Sequence, residues 1–195
     1  GLDGLRDRLV EYYDLGARFA KWRAVITIGN NIPSNACINS NAHALSRYAA
    51  LCQENGLVPI VEPEVLMDGN HDIETCNDVS ERTLDCVFNE LDVQNVYLEG
   101  IVLKPSMVIS GKECKVQASI DEVSERTVEC LKKTVPSEVS GCAFLSGGQS
   151  NEHATAHLNA MNEKHGETLP WNLTFSYGRA LQVSALNAWN GKNEN

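Results

Sequence analysis

Two hydrophobic periods take turns along the 195 residues. Leu2, Leu5, Leu9 and Tyr12 recur at helical spacing, and Gly16 can close that helix. Phe19–Ile26 then reads as a strand. Ser34 can cap a second helix, in which Ile38, Ala42, Leu45, Ala49 and Cys52 step by 4, 3, 4 and 3 toward Gly56. A second strand is predicted over 58–62, a helix over 72–91 and a third strand over 96–103. Ser119 and Glu122 form a capping box for a helix carrying Ile120, Val123, Thr127 and Leu131. A strand over 142–145, a helix from Ser150 to about residue 162, a strand over 173–177 and a helix through Leu181, Ala185 and Trp189 complete the pattern.

Strict alternation of strand and helix places the chain in the α/β class, with parallel strands joined by right-handed crossovers. The strands recur about every 32 to 44 residues, long for a minimal doubly wound fold and ordinary for a (β/α)₈ TIM barrel. A barrel needs eight units and roughly 250 residues. The expectation is therefore one partial barrel domain over 1–195, holding about five of the eight βα units, those of the C-terminal side. A doubly wound sheet is the alternative, but no G-x-G-x-x-G follows the first strand.

Charge falls where such strands should be most apolar. The two-residue period puts Lys21 and Arg23 on one face of the first strand, and Glu62 and Glu64 on one face of the second. The third strand ends in Lys104, just before Pro105. In a barrel, inward side chains at strand ends converge on one mouth. An ammonium crowded there by another cation, or partly desolvated, can attack a carbonyl and form a Schiff base. The iminium is an electron sink, and Glu62 or Glu64 can supply the acid that its formation needs. A set of buried ion pairs that merely holds the mouth together is the competing reading.

A second constellation joins Leu145-Ser146-Gly147-Gly148-Gln149-Ser150 to Ser176-Tyr177-Gly178-Arg179. Small residues at a strand-to-helix junction let backbone N–H groups approach an anion, and barrels often bind phosphate after their last two strands. Arg179 can add a bidentate contact. His153 and His157, four apart in H-A-T-A-H, read instead as part of a surface helix, with no Glu between them for metal-assisted catalysis. Asp68-Gly69-Asn70-His71-Asp72 reads as a turn rather than a calcium loop, and Trp22, Trp171 and Trp189 read as packing groups.

Composition narrows the partners. A net charge of −10 argues against a general nucleic-acid or anionic-membrane binder, and no apolar run is long enough for a membrane helix. Seven scattered cysteines without a C-x-x-C pair favour free thiols over disulfides or a zinc site. With no initiator Met and no signal-like N-terminus, a fragment or a processed chain is expected.

Phe19-Ala20-Lys21-Trp22-Arg23, the run from Gly56 to Glu64, Leu98-Glu99-Gly100 with Leu103-Lys104-Pro105-Ser106-Met107, and the runs from Leu145 to Ser150 and Phe175 to Leu181 resemble class I fructose-1,6-bisphosphate aldolases. The resemblance covers essentially the whole chain. It implies reversible cleavage of fructose 1,6-bisphosphate to dihydroxyacetone phosphate and glyceraldehyde 3-phosphate, in glycolysis and gluconeogenesis. By that resemblance Lys104 is similar to the Schiff-base lysine, Glu62 to the acid/base of carbinolamine dehydration, and Glu64 to its neighbour that holds the lysines. Lys21 resembles the second active-site lysine. Ser146, Gly147, Gly178 and Arg179, with Ser176 beside them, look like one phosphate site, and Arg23 resembles a cation near the other phosphate.

The same resemblance implies no metal and no cofactor, a homotetramer, and a cytoplasmic setting, or a plastid if a transit peptide preceded Gly1. It also places a catalytic Asp and a Lys on strands before Gly1, and a tail ending in Tyr after Asn195. The isolated segment is accordingly expected to be inactive or nearly so, with two exposed sheet edges. Two other classes stay in view: a non-catalytic aldolase-like module for phosphate binding or protein contacts, and another Schiff-base lyase acting on a smaller sugar phosphate.

Overall fold

The computed structural model describes residues 1–193. It runs α1 (Leu5–Asp14), β1 (Phe19–Ile26), α2 (Asn35–Glu54), β2 (Val58–Val65), α3 (Ile73–Val93), β3 (Val102–Leu103), α4 (Ile120–Thr134), β4 (Gly141–Phe144), α5 (Asn151–His165), β5 (Asn172–Phe175) and α6 (Arg179–Trp189). Four helices begin on a side chain that accepts an otherwise orphaned N–H: Ser34 from Cys37, Asp72 from Thr75, Ser119 from Glu122 and Ser150 from His153.

The five strands are parallel and lie in sequence order, β1-β2-β3-β4-β5. A doubly wound sheet reverses its strand order at a switch point, and no reversal occurs here. Steady progression in one direction is the barrel pattern. The core fills the layer between sheet and helices, where Ile26, Leu45, Val61, Val87, Leu91, Leu103, Phe144 and Met161 are almost completely shielded from solvent. The helix α6 differs from the others: it buries no residue, and Leu181, Leu186 and Trp189 stand exposed. Trp189 is therefore not a core group. Trp171 is one, donating from Nε1 to the Pro136 carbonyl at 2.8 Å, while half-buried Trp22 tilts against Tyr48 with centroids 5.6 Å apart.

The third strand is far shorter than the expected 96–103, because Leu98–Gly100 coils into a 3₁₀ turn and only Val102–Leu103 pairs. The neighbour explains this. In β2, Val58 N–H donates to Arg18 and the following Leu66 N–H to Ile26, so even-numbered residues bond toward β1. Val61 instead accepts from Lys104 at 2.7 Å, so odd-numbered residues face β3. Pro59 and Pro63 are odd, have no N–H, and leave β3 little to pair with. The Val65 N–H, next on that side, donates to the Ser106 hydroxyl at 2.9 Å instead.

The connection over 104–119 has no regular structure but is firmly held. Val108 N–H donates to the Thr127 hydroxyl at 2.9 Å, Ala118 N–H to the Ser110 hydroxyl at 3.1 Å, and Met107 and Val108 are buried.

Candidate active site

In β1 the even-numbered side chains Ala24 and Ile26 lie under the helices, which turns Lys21 and Arg23 to the opposite face. Glu62 and Glu64 share the corresponding face of β2. Pairing sets Lys21 opposite Ile60 and Arg23 opposite Glu62, so each cation reaches its partner diagonally. Lys21 Nζ lies 2.6 Å from Glu62 Oε2, and Arg23 Nε donates to Glu64 Oε2. That hydrogen bond raises the Arg23 pKa above its ordinary value, against the opposing pull of burial.

Lys104 joins from the third strand. Its N–H bond to the Val61 carbonyl continues the ladder past Leu103, and its Nζ stands 3.1 Å from Glu62 Oε1. Glu62 thus bridges two ammonium groups, one on each oxygen. It is 3% exposed, Glu64 4% and Lys104 8%, whereas Lys21 and Arg23 remain about half exposed on the edge strand. Lys21, Arg23, Glu62, Glu64 and Lys104, the charged residues singled out on the first three strands, all meet in this face. The carboxylates lie within β2 rather than at its end, since the strand runs to Val65 and not to residue 62.

The turn after β4 lies one strand further on. Leu145 N–H donates to the Pro105 carbonyl at 3.3 Å, which sets Ser146 beside the chain that carries Lys104. Ser176 N–H donates to the Phe144 carbonyl at 2.8 Å and brings Gly178 and Arg179 alongside. Gly147 and Gly148 take φ of +62° and +87°, a left-handed pair that only glycine adopts freely. The turn closes with Gln149 N–H on the Ser146 carbonyl at 3.0 Å. A Cβ at Gly148 would stand 3.6 Å from Arg179 Nη2 and 2.8 Å from Lys112 Nζ. Lys112 was not singled out in the sequence, and no local motif marks it.

The expectation of a surface helix fails at His157. It is 4% exposed, on the α5 face that also buries Ala154, Leu158 and Met161. Its Nδ1 lies 2.7 Å from Gln149 Oε1, and Gln149 Nε2 lies 3.5 Å from Met107 Sδ. Burial, aided by His153, pushes the imidazole pKa down to about 4, so it is neutral and Nδ1–H donates to Gln149. The signal was the 154, 157, 158, 161 stripe, which includes the histidine. The 68–72 segment is a turn as expected, and Asp72 within it caps α3.

A cleft of about 480 Å³ between α5, β5 and α6, lined by Leu158, Leu173, Phe175, Tyr177 and Leu181 among others, contains none of these charged groups. Among the described residues, no group of three or more His, Cys, Asp or Glu is placed to hold a metal ion, and no helix is long and apolar enough to cross a membrane.

Comparison with known proteins bears on the same chemistry. The model of the glycolytic family of class-I fructose-bisphosphate aldolases matches residues 1–195. A probable fructose-bisphosphate aldolase class 1 from Xanthomonas campestris pv. campestris is 66% identical over 97% of this chain and 56% of its own length. The cytosolic fructose-bisphosphate aldolase 4 of Arabidopsis thaliana is 56% identical over 100% of the chain and 49% of its own. A solved structure of fructose-bisphosphate aldolase from Plasmodium falciparum, in complex with TRAP and a small-molecule inhibitor, superposes with a TM-score of 0.96 at 52% identity, covering 100% of this chain and 56% of that one. The chain thus spans about half the length of the curated relatives it matches.

Proposed function

Because the chain belongs to the class-I fructose-bisphosphate aldolase family, we propose that its charged strand face carries the Schiff-base chemistry of a fructose-1,6-bisphosphate lyase. The observation that supports this most is the buried Glu62 carboxylate held between Lys104 and Lys21.

Each step asks something of a named group. Lys104 must first lose a proton, and Glu62 Oε1 at 3.1 Å is within reach to accept it. The free amine attacks the ketone carbon of the open-chain sugar. A C–N bond forms, and the carbonyl electron pair moves to oxygen, which takes up a proton. Glu62 returns a proton to that hydroxyl, which leaves as water, and the iminium forms. The bond between the third and fourth carbons then breaks. Its electron pair enters the iminium as the hydroxyl on the fourth carbon loses a proton, and glyceraldehyde 3-phosphate departs. By the family resemblance, the base for that proton is the Asp on a strand outside these residues. Protonation of the enamine and addition of water release dihydroxyacetone phosphate and regenerate the amine.

Lys21, 2.6 Å from the other Glu62 oxygen, orients the carboxylate and balances its charge. Glu64 fixes Arg23 toward the far phosphate. Ser146, Gly147, Ser176, Gly178 and Arg179 hold the near phosphate, using N–H groups of a left-handed turn, the start of α5 and one guanidinium. A module kept only for phosphate binding would have no use for the Lys21–Glu62–Lys104 bridge. The homotetramer belongs to the same proposal, as does a cytosolic setting, which the cytosolic Arabidopsis relative supports.

The test is borohydride treatment of the complete protein with dihydroxyacetone phosphate, followed by intact mass and peptide mapping. An adduct on Lys104 is expected. No adduct, or an adduct on another lysine, overturns the assignment. Unchanged cleavage by Lys104→Met does the same, and preference for fructose 1-phosphate over the bisphosphate would favour the smaller-substrate lyase.

A further inference from the structure

Lys112 has no part in the chemistry above, yet its ammonium stands over the phosphate turn. Its main chain is stitched to the loop between β2 and α3 by three successive hydrogen bonds. Gly111 N–H donates to the His71 carbonyl at 2.8 Å, Lys112 N–H to Met67 at 2.7 Å, and Glu113 N–H to Gly69 at 2.9 Å. The backbone that presents the side chain is therefore fixed. The side chain ends where a Cβ on Gly148 would meet Nζ at 2.8 Å, Cε at 3.4 Å and Arg179 Nη2 at 3.6 Å. An ammonium and a guanidinium thus converge on one point above two consecutive left-handed glycines. Two cations at such a point repel unless an anion joins them. The carboxylate within reach is Asp68, whose Oδ1 lies 3.2 Å from Lys112 Nζ in a pair that is about half exposed on both sides. An exposed pair of that kind is weak and exchangeable.

We infer that Lys112 is a binding residue for the near phosphate, and that Asp68 is its counter-ion when the site is empty. The inference rests on the phosphate site proposed for Ser146, Gly147, Gly178 and Arg179, and adds a second cation from a different βα connection. The ligand class is a phosphate monoester dianion at the end of the sugar next to the Schiff-base carbon. On arrival the dianion takes Lys112 from Asp68. Asp68 then lowers affinity, because every binding event must break its pair with Lys112.

Opposite signs at two neighbouring residues make the test. In the complete protein, Lys112→Met should raise the dissociation constant for inorganic phosphate roughly fivefold, and the loss in turnover should fall on KM more than on kcat. Lys112→Arg should restore most of the affinity. Asp68→Asn should tighten phosphate roughly twofold, and the double variant should behave like Lys112→Met alone, since the aspartate acts only through the lysine. Arg179→Met is measured beside them. If it weakens phosphate while Lys112→Met and Asp68→Asn leave affinity unchanged, the inference is overturned and the phosphate site stands. If all three are unchanged, the site itself is misplaced. If Lys112→Met lowers kcat and the melting temperature together with no selective effect on KM, the lysine only braces the loops, and the inference fails.

Discussion

Glu62 Oε1 lies 3.1 Å from Lys104 Nζ, and both groups are buried, so the carboxylate can exchange a proton with the amine without solvent between them. Glu62→Gln keeps the shape and removes the proton acceptor. We expect formation of the borohydride-trappable Schiff base to slow by roughly a hundredfold or more, with phosphate affinity little changed. Trapping at the parent rate would remove Glu62 from the acid–base role.

Gly111 sits where no side chain fits. A Cβ there would meet the Gly69 carbonyl oxygen at 2.3 Å and its carbon at 2.9 Å, both backbone atoms of the opposing loop. Gly111→Ala should part the stitched loops and cost about 1–3 kcal/mol, a melting-temperature drop of several degrees. Gly166→Ala, with its nearest neighbour at 3.5 Å, is the control and should leave stability nearly unchanged. Equal melting temperatures for the two variants would contradict the close approach.

Burial lowers the folded pKa of His157 to about 4, below the ordinary 6.5. The unfolded chain therefore binds a proton between those values that the folded protein refuses. His157 contributes full stability above pH 6.5, and that contribution falls as pH drops toward 4, by about 3 kcal/mol in all. Urea midpoints measured across this range should fall more steeply in the parent than in His157→Gln. His71, also lowered by burial, acts with the same sign in both proteins and cancels from the comparison. Parallel pH profiles would show that His157 does not titrate as described.

The seven thiols are free and divide by burial: Cys52, Cys76, Cys130 and Cys142 lie inside, while Cys37, Cys86 and Cys114 are partly exposed. Burial pushes Cys52 up to about 11 and Cys130 and Cys142 up to about 12. A thiol reagent at neutral pH should label at most Cys37, Cys86 and Cys114 in the native protein and all seven after denaturation. Rapid native labelling of Cys142 would mean that β4 opens readily.

Much of this architecture was legible because the physics is local. The helix starts at Ser34, Ser119 and Ser150 needed only a hydroxyl before a periodic run, and the charged faces of β1 and β2 followed from a two-residue count. What escaped depends on a neighbour. The length of β3 is set by Pro59 and Pro63 in β2, about 40 residues earlier in the chain. His157 looked polar by residue type and is buried by its place on the helix stripe. Lys112 comes near Gly148 only because two loops meet, and no pattern within either loop announces it.

The diagonal pairs between β1 and β2 also bear on how the sheet assembles. If β1 slid by one residue, Lys21 and Arg23 would turn into the layer beneath α2, where Ala24 and Ile26 now lie. If it slid by two so that Arg23 came to Glu62, Glu64 would lose its cation while still sealed from water, which is costlier than leaving an exposed pair unmade. Such misregistered dockings strand a buried charge, so the ion pairs on this strand face also act as a key that favours one strand alignment during folding.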